Sequence, residues 1–248
     1  MTTRTLVILP TYNELENLEG VVRRLQQSAP DVDILIVDDN SPDGTGWLAD
    51  RLSDELRNVH VSHRVVRAGL GGAYLEGFAW ALRQGYDLIV ESDADGSHRP
   101  EDLPRLLVAI ENSDLVVGSR WVEGGKVENW PISRRLLSRA GSAYARVMLD
   151  IPLRDVTGGY RAYRASALLA LKLESVNSQG YCFQIELLWR AVCAGLRVRE
   201  VPITFSDRIL GASKMRGRIV IEAMWRVTMW GLAARLAPLG RRTVASHA

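Results

Sequence analysis

A chain of 248 residues with 47% apolar and 24% charged residues has the balance of a folded globule, which excludes a disordered or collagen-like polymer. Two cysteines, Cys182 and Cys193, supply neither a disulfide framework nor a zinc site, and no secretory leader is read, so a reduced cytoplasmic setting is expected. The longest uncharged stretch near the C-terminus, Val227–Ala234, is eight residues against the roughly 18 that span a bilayer, so a transmembrane chain is not expected.

The first half alternates strand and helix. Leu6 to Leu9, stopped by Pro10, reads as a buried strand. Asn13 is expected to cap a helix with Glu14 and Glu16 in its first turn and Leu15, Leu18, Val22 and Leu25 along one face. Ile34 to Val37 is a second strand, running into Asp38-Asp39. A helix over Thr45 to Leu56 and a strand near Val59 to Ser62 follow. Gly69, Gly71 and Gly72 open a helix to Gln84, Leu88 to Val90 is a fourth strand, Pro100 starts a helix, and Leu115 to Val117 is a fifth strand. This order predicts an α/β fold with a mainly parallel sheet flanked by helices. The second half is less regular: helices over Ser133–Leu149, Ala165–Leu171 and Gln184–Ala194, strands over Tyr160–Arg164 and Val198–Phe205 with Pro202 interrupting, and a last amphipathic helix over Arg218–Leu236. No repeat or linker composition divides it.

Net charge is +2, yet residues 1–124 hold 11 Lys/Arg against 21 Asp/Glu while residues 125–248 hold 20 against 8. The acidic half suits a metal and the basic half phosphate or a membrane surface, unless the arginines are scattered on solvated faces. Ligands of open parallel sheets bind beyond the carboxyl ends of the strands, and the polar clusters fall at those ends. Asp93 and Asp95, two apart in extended backbone, point the same way and offer two hard oxygen ligands suited to Mg²⁺ or Mn²⁺. Asp39 suits a ribose or base, or else a helix cap; Asp43 reads as a cap. Arg120 and the pair Arg134-Arg135 are candidate phosphate ligands, as are Arg208 and Lys214 flanking a Gly-containing loop, Ile209–Ser213.

Taken together, the segments Pro-Thr-Tyr-Asn-Glu at 10–14, Asp-Asp-Asn-Ser-Pro-Asp-Gly-Thr at 38–45 and Asp-Ala-Asp at 93–95 resemble those of polyprenol-phosphate (dolichol-phosphate) mannosyltransferases. So do Gly-Ser-Arg at 118–120, Asp155 to Arg164, Gly180 to Glu186, and Val201 to Arg208 with Ser213-Lys214. These are inverting members of glycosyltransferase family 2, with the GT-A fold. The resemblance implies a GDP-mannose donor, a divalent cation and a polyprenyl phosphate acceptor. It implies that Pro10, Tyr12, Glu14, Val37 and Asp39 hold the nucleotide, with Asp93 and Ala94 beside the diphosphate and Asp93 and Asp95 on the metal. Arg120, Arg208 and Lys214 are implied to bind donor or acceptor phosphates. Asp95, Arg120, Arg208 and Lys214 form the expected catalytic set, and Arg134 joins Arg120, Arg208 and Lys214 as an expected acceptor-phosphate ligand. The chain departs from the family at Gly96-Ser97, where a glutamine often completes the metal site; Ser97 is at best a weak or water-mediated ligand.

A lipid phosphate is largely dianionic near neutral pH, with a second pKa of about 6, so displacement needs little help from a base. A UDP-glucose-dependent transferase is the nearest alternative. A sugar nucleotidyltransferase is disfavoured because Pro10-Thr11-Tyr12 supplies no Gly-rich loop with Lys or Arg. Residues 1–214 are read as the catalytic domain and 215–248 as an amphipathic helix and tail lying on the cytoplasmic face of a membrane, with Trp225 and Trp230 at the interface. A membrane-anchored partner subunit is the alternative support. No nucleic-acid partner is expected.

Overall fold

Alternation along each strand sends successive apolar side chains to opposite faces, and this decides the architecture. In the computed structural model, which describes residues 3–178, 180–207 and 217–236, Leu6 and Ile8 of β1 (Thr5–Thr11) face one core while Val7 and Leu9 face another. Likewise β2 (Asp33–Asp38) sends Leu35 and Val37 one way and Ile34 and Ile36 the other. With β3 (Val59–His63), β4 (Leu88–Glu91), β5 (Leu115–Ser119), β7 (Arg161–Arg164) and β8 (Val198–Pro202) these make a seven-stranded sheet in the order β3-β2-β1-β4-β7-β5-β8. A short strand β6 (Lys126–Glu128) pairs in parallel with β9 (Thr204–Ser206) beside it.

Helices cover both faces. On one side, α1 (Leu18–Ser28), α2 (Thr45–Glu55) and α4 (Leu103–Ile110) bury Leu18, Leu25, Leu48, Leu52 and Leu106. On the other, α3 (Gly69–Arg83), α5 (Ile132–Leu149), α6 (Ala165–Ala170), α7 (Tyr181–Cys193) and α8 (Gly217–Leu236) supply Tyr74, Phe78, Leu149, Leu168, Phe183 and Val227. Among the described residues every strand pair is parallel except those made by β7, which runs antiparallel between β4 and β5. The sequence reading found the strand Tyr160–Arg164 but not its direction, because direction depends on the long excursion through α5. Pro202 divides the expected strand Val198–Phe205 into β8 and β9, for it cannot donate to a ladder.

The expected helix beginning near Asn13 starts instead at Leu18. Asn13 takes a left-handed backbone, φ 56°, and Leu15 is exposed, so residues 13–17 form a turn that bends over the end of β1. Asp43, one residue before Gly44 at the N-cap of α2, closes an Asx turn: its Oδ1 accepts from the Thr45 N–H at 3.0 Å and the Thr45 hydroxyl at 2.6 Å.

α8 is held closely against the domain. A Cβ at Gly231 would collide with the Met148 carbonyl, so the glycine lets α8 approach α5. Val227 is buried, Trp230 stacks on Trp189 of α7 with ring centroids 5.7 Å apart, and the Tyr144 and Thr228 hydroxyls are 2.5 Å apart. Arg235 donates to the Val147 carbonyl in the last turn of α5 at 3.0 Å. Trp230, expected at a membrane interface, is therefore half-buried packing, while Trp225, Met229, Leu232 and Leu236 remain exposed on the outer face. Among the described residues no helix is long and apolar enough to cross a membrane.

Candidate active site

Chain segments leaving the carboxyl ends of β1, β2, β4 and β5 enclose a cavity of about 390 Å³. Of the expected site residues in the described segments, Pro10, Tyr12, Glu14, Asp39, Asp93, Ala94, Asp95, Arg120 and Arg134 line it. Val37 does not: it is wholly buried within β2. Arg208, Lys214 and the loop between them lie outside the described residues.

Asp93 and Asp95 follow β4, each oriented by a different partner. The Tyr74 hydroxyl, on α3, donates to Asp93 Oδ1 at 3.2 Å, and the Asp93 backbone N–H donates to His98 Nδ1 at 2.9 Å. That second bond leaves Nδ1 without its own proton, so the ring proton sits on Nε2. His98 is buried, stacked on Tyr160 with centroids 4.9 Å apart and edge-on to Phe205 at 5.5 Å. Asp95 Oδ1 accepts the Ser97 N–H at 3.0 Å and the Ser97 hydroxyl at 2.6 Å, so Ser97 orients Asp95. Among the described residues no third His, Cys, Asp or Glu joins the pair into a metal cage. Two hard carboxylates on an open cavity still fit Mg²⁺ or Mn²⁺, which take water and diphosphate oxygens for their remaining ligands.

Beneath them Glu91 is fully buried at the end of β4, next to Arg161, Gln184 and Tyr163. Burial pushes its carboxyl up to about 8, opposing the pull of Arg161, so it is protonated at neutral pH. Arg161, itself buried, donates to the carbonyls of Val156, Gly158 and Gln184, which fixes the floor of the cavity.

Of the two readings the sequence left open for Asp39, the cap is present, and the side chain also reaches the cavity. It caps α3 from a neighbouring strand: Oδ1 accepts from Arg64 Nη1 at 2.7 Å and the Ala68 N–H at 3.1 Å, and Oδ2 from the Gly69 N–H at 2.8 Å. Glu14 is buried, accepts from Asn17 Nδ2 at 3.0 Å, and has its backbone N–H held by Thr45 Oγ1.

At the far end, Arg120 forms a buried pair with Asp155, through Nε at 2.7 Å and Nη2 at 2.7 Å, and Nη2 also donates to Thr157. Burial acts to raise the Asp155 carboxyl, but Arg120 outweighs it and holds the group below the usual range. The Arg120 guanidinium carbon lies within 5.4–5.6 Å of the ring centroids of Trp121, Trp130 and Phe205. Arg134 stacks over Trp130 at 4.1 Å and pairs with Asp207 at 2.8 Å. Here a second cavity of about 350 Å³ opens, sharing Arg120, Trp130, Arg134 and Thr157 with the first. It continues between α5 and α8 along Leu137, Ala140, Ala145, Ile185, Ala223 and Val227.

Sequence reasoning assigned no role to Arg67, His98 or Trp130. His98 was signalled by its position three residues after Asp95; Trp130 carried no local signal, since its importance comes from α5 folding back beside β9.

The family model described as Glycosyl transferase family 2 matches residues 6–171, and curated relatives align over almost the whole chain. The chain belongs to glycosyl transferase family 2. It is 55% identical over 96% of its length to an undecaprenyl-phosphate mannosyltransferase of Micrococcus luteus, covering 98% of that protein. To a polyprenol monophosphomannose synthase of Mycolicibacterium smegmatis it is 55% identical, over 95% of this chain and 89% of the relative. A dolichol-phosphate mannosyltransferase of Pyrococcus furiosus is 38% identical over 90% of this chain, which covers 63% of it. The resemblance to polyprenol-phosphate mannosyltransferases therefore holds, and this family 2 member is a glycosyltransferase. Its GT-A architecture superposes on glucosyl-3-phosphoglycerate synthase from Mycobacterium tuberculosis, solved with Mn²⁺, UDP and glucosyl-3-phosphoglycerate. The TM-score is 0.65 at 22% identity, covering 94% of this chain and 80% of that one.

Proposed function

We propose that this family 2 glycosyltransferase moves mannose from GDP-mannose to a polyprenyl phosphate, with inversion, on the cytoplasmic face of a membrane. The observation that carries the reading is the junction of two unlike cavities at Arg120, Trp130 and Arg134, one bordered by the carboxylates of Glu14, Asp39, Asp93 and Asp95, the other an apolar groove between α5 and α8. An acceptor with an anionic head and a hydrocarbon tail has that polarity. The names of relatives at 55% identity support the same sugar and the same acceptor class.

In this mechanism Pro10, Tyr12, Glu14 and Asp39 hold the nucleoside, with Val37 supporting them from the core. Asp93 and Asp95 hold Mg²⁺ or Mn²⁺, which when bound offsets charge on the departing diphosphate. Ala94 lines the same wall of the cavity between them. Arg120 and Arg134, joined by Arg208 and Lys214, draw the acceptor phosphate to the opposite side of the anomeric carbon, as in-line displacement requires. The acceptor oxygen is already ionised, so neither Asp93 nor Asp95 is needed as a base. The outer face of α8, with Trp225, Met229 and Leu232 exposed, rests on the membrane interface, where the tail enters the groove.

The test is transfer of radiolabel from GDP-mannose, UDP-glucose and UDP-mannose to a short polyprenyl phosphate, with Mg²⁺ or Mn²⁺ and with chelator. Label moving only from GDP-mannose, in a metal-dependent manner, is the expected result. Efficient transfer from UDP-glucose alone would replace the donor assignment.

A further inference from the structure

We propose that Arg67 reads the base of the donor nucleotide and selects guanine. The assignment rests on the reading above and goes beyond it by naming the residue that distinguishes one nucleoside diphosphate from another.

Tyr12 leaves the end of β1, and Arg67 stands just before α3. The Arg67 guanidinium carbon lies 3.7 Å above the centroid of the Tyr12 ring, contact distance for a flat cation on an aromatic face, and both side chains line the cavity. Arg67 is exposed, and among the described residues it makes no hydrogen bond or ion pair. Its neighbour Arg64 is the opposite case, held by Asp39 at 2.7 Å and Glu76 at 2.9 Å. One arginine is built into the fold; the other keeps its fork of donors available.

The same end of the cavity holds the Asp39 carboxylate. Its Oδ1 already accepts two donors, but Oδ2 accepts only the Gly69 N–H among the described residues and has a further lone pair to offer. An aromatic face, one anionic acceptor and a planar set of donors therefore converge there. Guanine presents the complement: a π face, N–H donors on its Watson–Crick edge, and O6 and N7 side by side, which a guanidinium meets with two parallel bonds. Uracil offers O4 with no second acceptor beside it, and adenine puts an amino donor where guanine has O6. On binding, the base takes the Tyr12 face and Arg67 moves from that face to the O6/N7 edge.

The experiment is calorimetric binding of GDP, 7-deaza-GDP and UDP to the full chain with Mn²⁺, for wild type, Arg67→Ala and Arg67→Lys. Thermal melts matching wild type establish that the variants are folded. Wild type is expected to prefer GDP over 7-deaza-GDP by roughly tenfold or more, the range of one bidentate contact. Both variants should bind the two guanine nucleotides alike, because lysine keeps the charge but not the fork, and their UDP affinity should match wild type. Three results overturn the proposal: an unchanged preference in Arg67→Ala, an equal loss for GDP and UDP, or full retention of the preference in Arg67→Lys. If wild type itself binds UDP more tightly than GDP, the donor reading falls and the Arg67 assignment with it, a failure seen in wild type alone.

Discussion

The two ends of the cavity are built by different means. At one end, Asp39, Asp93 and Asp95 sit immediately after strands of the parallel sheet, and neighbours within a few ångströms fix each carboxylate: Gly69 N–H, Tyr74 and Ser97. At the other end, Arg134 stands on a helix, is half-buried, and faces a groove whose second wall is α8. The first end is preorganised by the sheet, as a site that would hold a cation in place requires. The second is set by how closely two helices pack, which suits a long hydrocarbon chain better than a fixed cage. Arg120 is the exception at that end, locked by a fully buried carboxylate.

Substitutions sort by which end they strike. Asp95→Asn should have the largest effect on transfer, a loss on the order of 10²–10³ or more with the melting temperature nearly unchanged, because it weakens the proposed site for the cation that would offset charge on the leaving group. Turnover near wild type with unchanged metal dependence would remove Asp95 from the metal site. Asp155→Ala should act mainly on the fold. It leaves Arg120 buried without its carboxylate, a change that typically costs about 3–5 kcal/mol, read by denaturant unfolding. The pair also sets an acid limit. The folded Asp155 carboxyl titrates below its ordinary value of 3.8, so its contribution is complete above that pH and lost as pH falls through the folded value. The variant should lose that part of the acid sensitivity.

A smaller effect is expected at the α5–α8 seam. Gly231→Ala forces the helices apart and should cost about 1–3 kcal/mol while raising the KM for polyprenyl phosphate more than that for the sugar nucleotide. Equal changes in both KM values would detach the groove from the acceptor. The smallest effect on transfer is expected of Glu91→Gln, which acts instead on the pH dependence of stability. Folded Glu91 keeps its proton up to about pH 8, whereas the unfolded carboxyl loses it near 4.5, so stability from this group is complete below 4.5 and declines as pH rises through 8. The amide should flatten that slope and leave stability at pH 5 almost unchanged, as unfolding at pH 5 and pH 8 would reveal.

The same contrast explains what could be read without coordinates. Strands such as Leu6–Leu9 and their terminal carboxylates are local: apolar runs, a proline and a cluster of acids lie within a dozen residues. The start of α1 was misplaced because Asn13 and Glu14 look like a helix entry, while Ser41 and Thr45 on another segment hold them in a turn. The Arg120 end was less legible because its determinants are remote in sequence, Arg120 with Asp155 and Tyr144 with Thr228. The basic character of the second half was only partly a ligand signal. Arg161, Arg164 and Arg190 are engaged with backbone carbonyls or Glu186 inside the domain, structural work that composition cannot separate from phosphate binding.

The antiparallel strand β7 has a metric consequence. Adjacent strands are spaced about 4.8 Å apart, so inserting one between β4 and β5 separates the strand end bearing Asp93 and Asp95 from the one bearing Arg120 by roughly 10 Å across the sheet. Side by side, β4 and β5 would bring the negative and positive poles within range to neutralise one another. With a strand between them, the Asp93–Asp95 end and the Arg120–Asp155 pair face each other over a gap with room for a substrate group.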